Sequence, residues 1–242
     1  MLEELALAGP EHLDASYVAG YDRKAGFDPA PDVELLRSLG LGADSTLVDL
    51  GAGTGTLALA VAPYCKRVVA VDVSPAMLDA LRAKLGERAN VECVQAGFLS
   101  YRHTGAPPEF VYTRNALHHL PDFWKAVALE RLASLLPVGG TLRLRDLVFS
   151  YESGDVEAGI AAWLDRAAAS SDDGWTREEL ETHIREEFST FTWLLEPMLE
   201  RAGFEIVTAE YAPIGAYADY VCVRRTVQTA GSDPSDSGVR HP

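Results

Sequence analysis

Asp49-Leu50-Gly51-Ala52-Gly53-Thr54-Gly55 combines residue types that can bring a ligand against bare backbone. Glycine permits a tight turn and removes the side chain that would hold a ligand away. The spacing is Gly-x-Gly-x-Gly, and the next position along is Thr56, where a dinucleotide fingerprint would place a small residue. A nicotinamide site is therefore disfavoured. Asp72 lies 17 residues beyond Gly55, at the end of the next apolar run. An acidic group at that point can hydrogen-bond a ribose hydroxyl pair, against the plainer reading of a surface Asp at a strand end.

Other groups have chemical potential with a structural alternative beside it. His118 and His119 could include a general base, histidine being the usual choice near neutral pH. Shaping of their loop is the preferred reading. No third metal ligand lies at useful spacing along the chain, so no metal is expected. Arg143 and Arg145 share one strand face, while Asp146 points the other way near the strand's carboxyl end; internal ion pairing or ligand contact would explain them. Tyr17 and Tyr21, read as one helical face, could close over a ligand or pack as core. Trp163, Phe191 and Trp193 could line a substrate pocket, although core packing is the commoner fate of such aromatics.

The elements that must position these groups follow from periodicity. Asp32 is read as opening a helix with Val33, Leu36 and Leu39 at helical spacing, ended by Gly40. Strands are expected at Ser45–Leu50, Arg67–Val73, Val91–Gln95, Phe110–Arg114 and Thr141–Phe149, with helices between them. Ser74-Pro75 is a strong helix start. This rhythm implies parallel β/α units in a doubly wound α/β sheet. It breaks over 150–196, where Ile160, Trp163, Leu164 and Ala167 mark one amphipathic helix. Thr176-x-x-Glu179 announces a second through a capping box. Two closing strands, about 204–211 and 217–224, are close enough to be antiparallel partners. The expected organisation is an N-terminal helical cap (1–44), a ligand-binding domain (45–226) with a helical insertion (150–196), and a disordered tail (227–242).

Asp49 to Gly55, Asp72 and Leu117-His118-His119-Leu120-Pro121 together resemble the class I S-adenosylmethionine (SAM)-dependent methyltransferases, of the small-molecule type with a ubiquinone-biosynthesis-like core. The resemblance implies a Rossmann-like seven-stranded sheet of order 3-2-1-4-5-7-6 with strand seven antiparallel, and S-adenosyl-L-methionine as cofactor. It places Asp49, Gly51, Ala52 and Gly53 at the methionine part, Asp72 and Val73 at the ribose, Gly97 and Phe98 at the adenine, and Thr113 and Arg114 beside the amino-acid end. Tyr21 would close over the cofactor. Tyr17, Asp146, Trp163 and Trp193 are the candidates for the acceptor. Many relatives carry Gly-Asp-Ala after strand three; here the segment is Gln95-Ala96-Gly97-Phe98, and Gly97 takes the place of the Asp. Another acceptor must then meet the adenine amino group, or Phe98 packs on the ring.

Composition narrows the partners. The chain has 36 acidic and 21 basic residues, a net charge of −15, and no Lys/Arg cluster. Nucleic acid is disfavoured, since its binders carry a basic footprint. No apolar run suits a membrane span, and the three cysteines form no Cys-x-x-Cys pair. With no leader pattern at the N-terminus, the reading is a cytoplasmic enzyme acting on a small molecule. Two alternatives stay open: a regulatory SAM-binding protein without methyl transfer, and an enzyme using SAM for other chemistry.

Overall fold

The computed structural model describes residues 2–168 and 174–226. The seven-stranded sheet has β1 (Thr46–Leu50), β2 (Arg67–Asp72), β3 (Val91–Gln95), β4 (Phe110–Arg114), β5 (Thr141–Asp146), β8 (Phe204–Tyr211) and β9 (Ala218–Arg224). Their order is β3-β2-β1-β4-β5-β9-β8. The first five run parallel, and β9 is antiparallel to both β5 and β8. Two short strands, β6 (Val148–Phe149) and β7 (Thr190–Phe191), pair with each other and not with the sheet. Apart from those two, the order is the expected one, with β8 and β9 as its sixth and seventh strands.

The central strands are nearly continuous apolar runs because both faces are covered. Alternation then sorts their side chains. Val48, Leu50, Val69, Val71, Val111, Leu142 and Leu144 face α6 (Asp122–Leu135) and α9 (Thr192–Arg201). Leu47, Val68, Ala70, Phe110 and Tyr112 face α3 (Ala30–Ser38), α4 (Thr56–Val61) and α5 (Pro75–Lys84). A third cluster joins Leu147 and Phe149 to α7 (Val156–Ala167) and α8 (Arg177–Glu186) through Trp163, Leu164 and Leu180. The chain enters through α1 (Ala15–Val18) and α2 (Tyr21–Ala25).

Three local readings change. Asp32 does not open α3: the helix begins at Ala30, whose N–H donates to Asp28 Oδ1 at 3.0 Å. Asp32 sits in the first turn, buried, where it receives Arg143 Nε at 3.0 Å and the Tyr112 hydroxyl at 2.8 Å. Arg143 also reaches Asp219 at 2.5 Å, and Arg145 lies 3.4 Å from the same carboxylate, so both strand arginines are internally paired. The fifth strand breaks at Leu147, whose N–H turns back to Asp146 Oδ1 at 2.8 Å. Tyr17 and Tyr21 fall on separate helices, α1 and α2, and both stand edge-on to His12, with ring centroids 6.3 and 5.8 Å away. The capping box at Thr176 and Glu179 forms as expected. The expected tail, 227–242, lies outside the described residues. Among the described residues, no helix is long and apolar enough to cross a membrane.

Candidate active site

Strand β1 ends in the glycine turn, which folds under β2: the N–H groups of Gly51 and Ala52 both donate to Val71 O, at 2.9 and 3.0 Å. Gly51 has φ +73°, and a Cβ there would lie 2.3 Å from the Ala116 Cβ, so the loop after β4 can approach only a glycine. Gly53 has φ +54°, yet its Cβ position is open, with Met77 Sδ nearest at 4.0 Å. Gly53 donates its N–H to Asp72 Oδ2 at 2.8 Å, and Asp72 Oδ1 accepts the Ser74 N–H at 2.8 Å. The end of β2 therefore fixes the turn that ends β1.

Two cavities open beside this turn. One is lined by Gly51, Gly53, Asp72, Val73, Gly97, Phe98, Arg114 and His119, and by Glu4, Leu7, Ala8 and His12 from the N-terminal segment. The other is lined by Asp49, Gly51, Ala52, Gly53, Arg114, Phe27 and Trp175. Tyr21, Gly51, Gly53, Arg114 and Asn115 border both. Of the residues chosen from sequence, Tyr21, Asp49, Gly51, Ala52, Gly53, Asp72, Val73, Gly97, Phe98, Arg114 and His119 are brought together here. Thr113 is buried just beneath, with its hydroxyl unpartnered among the described residues. Trp163 is 1% exposed within the α7–α8 packing, and Trp193 is half exposed and stacked on Phe191; neither borders these cavities. Tyr17, His118 and Asp146 do not border them either; Tyr17 packs against the Lys24 ammonium at 5.1 Å.

Electrostatics vary sharply over this small region. Burial, reinforced by Asp72 and Asp32, pushes the Asp49 carboxyl up to about 8. Burial raises Asp72 as well, against the opposing N–H groups of Ser74 and Gly53. Burial and then Asp72 push the Tyr21 phenol up to about 12. Arg114 is held by its stack on Phe27, 4.1 Å from the ring centroid, and by Asp32 at 3.8 Å.

The two histidines separate. For His118, burial favours the neutral ring, but the Asp146 and Glu187 carboxylates outweigh it and raise the imidazole to about 10. His118 Nδ1 bonds to Asp146, whose other oxygen accepts the His118 N–H at 2.9 Å. His119 is driven down to about 3 by burial and by His118 beside it, with ring centroids 4.5 Å apart. A protonated His118 has no free lone pair, and so weakly basic a His119 would be a poor proton acceptor.

Several lining residues were not chosen from sequence. Glu4 reaches the turn after β3, its oxygens accepting the N–H groups of Leu99 and Ser100 at 2.9 and 3.0 Å and the Ser100 hydroxyl at 2.8 Å. Asn115 adopts φ +48°, a left-handed conformation that Asn tolerates better than most, and the Arg145 guanidinium donates to its Oδ1 at 3.1 Å. The Asn-x-Leu order after a strand was a usable signal for that turn; the Glu4 contact had none.

A methyltransferase-domain family profile matches residues 47–140. A methyltransferase of Exiguobacterium sibiricum, itself uncharacterized, is 31% identical over 179 residues, covering 74% of this chain and 77% of the relative. Trans-aconitate 2-methyltransferase of Methylobacterium radiotolerans is 36% identical over 117 residues, or 48% of this chain and 43% of that protein. Among solved structures, the magnesium protoporphyrin IX methyltransferase of Synechocystis, with SAM bound, superposes with a TM-score of 0.62 at 14% identity, covering 93% of this chain and 98% of that one. The last comparison speaks for the fold alone, while the Exiguobacterium sibiricum relative carries the family through sequence. With the sheet order and the glycine turn already in place, the chain belongs to the class I SAM-dependent methyltransferases and is an enzyme whose cofactor is S-adenosyl-L-methionine.

Proposed function

We propose that this methyltransferase acts on a small-molecule acceptor held beneath its N-terminal segment. The observation that carries this reading is the lining of the ligand space by the N-terminal segment. Glu4, Leu7, Ala8 and His12 wall the first cavity opposite the sheet. At the second, the bordering Tyr21 and Trp175 rings meet edge to face at 6.2 Å, and Lys24 ties the N-terminal segment to α8 by an ion pair with Glu179. A polymer would need an open groove and a basic approach, and a chain of charge −15 supplies little of the latter. In this reading residues 1–44 and the helical segment 150–196 act as caps on the nucleotide-binding sheet.

The residues present suit the cofactor. Gly53 offers open backbone at the turn, Asp72 keeps lone pairs beside it for a ribose, and Phe98 and Gly97 form an apolar floor for a purine. Glu4 brings a carboxylate to the position that lacks an Asp in this chain, where it can accept from the adenine amino group. Asp49 and Arg114 face the second cavity, where the amino and carboxyl ends of the methionine part would lie. When bound, SAM supplies a methyl group already activated on a sulfonium. The protein's part is then to orient the acceptor in line and exclude water, and positioning alone can lower a barrier by roughly 7–11 kcal/mol. Neither histidine is needed as a base.

Turnover with methyl-labelled SAM tests the assignment. Incubation with a cell extract divided by size should place label in the low-mass fraction and release S-adenosylhomocysteine. Label confined to RNA or protein would overturn the small-molecule reading.

A further inference from the structure

The last turn of α8 carries His183, and Glu187 follows four residues later on the same face. The loop beyond is clamped to the turn after β4: Phe188 N–H donates to His118 O at 2.9 Å, and the buried Lys125 ammonium holds Phe188 O. This clamp converges three donors from two distant parts of the chain. Glu187 Oε2 lies 2.9 Å from His118 Nε2 and 2.6 Å from His183 Nδ1. Glu187 Oε2 is buried without a hydrogen-bond partner among the described residues. One donor atom from each of the three residues lies within 4.8 Å of the others.

We propose that His118 Nε2, His183 Nδ1 and the Glu187 carboxylate form a binding site for a divalent transition-metal ion of the zinc class. Three further observations support it. First, each imidazole has its remote nitrogen engaged: His118 Nδ1 by Asp146, and His183 Nε2 by Ser189 Oγ at 2.8 Å. Metal-bound histidines are oriented in this way, each ring's second nitrogen tied to a carboxylate or hydroxyl. Second, a bond of about 2.1 Å to each ligand sets tetrahedral donors about 3.4 Å apart, and the three donor atoms, at 2.9 and 2.6 Å and all within 4.8 Å of one another, bracket that spacing, so side-chain adjustments of under about 1.5 Å would seat an ion. Third, two carboxylates, Asp146 and Glu187, flank His118; a divalent ion at Nε2 would take the place of the proton there and bring one further positive charge to the pair of carboxylates.

Two imidazoles and one carboxylate leave a coordination position open, and they suit zinc or its neighbours better than magnesium or calcium. The next donor in space is His119 Nδ1, buried, without a partner among the described residues, and 3.8 Å from Glu187 Oε2. His119 also borders the first cavity, so the ion would stand one side chain behind the cofactor space. Along the chain, spacing around His118 offered no third ligand. Folding supplies His183 and Glu187 from the helical segment.

The untagged 242-residue chain, stripped with chelator and dialysed, should take up one equivalent of Zn²⁺ in competition with a chromogenic chelator. Co²⁺ in its place should give visible d–d bands without a thiolate charge-transfer band, which separates this site from the cysteines. Glu187→Gln and His183→Ala should each abolish the tight equivalent, and Asp146→Asn should weaken it roughly 10- to 100-fold. Circular dichroism and S-adenosylhomocysteine binding on the same samples verify that the variants are folded. Absence of a tight equivalent in the parent chain overturns the proposal, and so does equal Zn²⁺ affinity in a folded His183→Ala/Glu187→Gln chain.

Discussion

The Glu4 carboxylate occupies the space that a side chain on Gly97 would need: a Cβ built on Gly97 would fall 2.3 Å from Glu4 Oε1. Missing Asp and incoming Glu are thus two sides of one arrangement, linked across 93 positions of sequence. Gly97→Asp alone should clash with Glu4 and weaken cofactor binding. Glu4→Ala alone should lose a charge-assisted hydrogen bond, worth about 1.5–3 kcal/mol or roughly 10- to 150-fold in affinity. The pair Glu4→Ala/Gly97→Asp should recover most of that loss. Calorimetric titration with S-adenosylhomocysteine measures all three, and a double variant no better than either single one would separate Glu4 from adenine recognition.

Asp72 accepts from Gly53 and Ser74 while bordering the first cavity. Asp72→Ala should weaken SAM by the same roughly 10- to 150-fold. NADH should bind neither form. An affinity unchanged by the substitution would remove Asp72 from the ribose site.

Asp49 predicts a pH dependence. Its carboxyl is raised in the folded protein to about 8, so the folded form holds a proton that the unfolded chain has lost above its ordinary value of 3.8. The stabilising contribution is complete below about pH 4 and is lost as pH rises through 8. Urea midpoints should therefore fall between pH 5 and 8 for the parent chain more steeply than for Asp49→Asn. A cationic ligand in the second cavity favours the carboxylate, so SAM binding near pH 7 should release a proton. Calorimetry in buffers of different ionisation enthalpy detects that release, and Asp49→Asn should lack it.

Removal of Asp32 should leave Arg143 buried with only Asp219. Breaking such a pair costs about 3–5 kcal/mol, and the surviving Asp219 contact favours the lower end. Asp32→Ala should show this in urea unfolding, while Asp32→Ala/Arg143→Met should regain much of it. Equal instability of the single and double variants would indicate that Asp32 acts through α3 alone.

Trp163, at 1% exposure, is a packing residue of the α7–α8 cluster. Trp163→Ala should lose about 3–5 kcal/mol of stability and leave cofactor affinity within about twofold, since the indole borders neither cavity. Trp193→Ala, at an exposed stack, should change stability by less than about 1 kcal/mol. Thermal melts with and without S-adenosylhomocysteine resolve the two effects.

Local grammar accounts for what was legible. The glycine turn, Asp72, the Ser74 and Thr176 caps and the alternating strands all depend on neighbours within a few residues, and each appears where the sequence put it. Asp32 misled for the same reason: an Asp before an apolar repeat resembles a helix start, and Asp28 does that work instead. Arg143 and Arg145 stand on one strand face as alternation required, but their partners come from α3 and β9. Glu4, and the meeting of His118 with His183 and Glu187, are products of tertiary folding that no spacing rule encodes. The break at Leu147 is a backbone event set by Asp146, whose carboxylate turns back on its own chain.

The β6–β7 pair has an evolutionary consequence. Val148 lies beside Thr190 and Phe149 beside Phe191, so the chain between them leaves and rejoins the body of the enzyme at adjacent points. Whatever lies within that loop can lengthen, shorten or be exchanged while the sheet keeps its register. The entropy of closing it grows only with the logarithm of its length, by about 0.6 kcal/mol per doubling. The region from 150 to 189 is therefore a segment whose length can change while the seven-stranded sheet keeps its register.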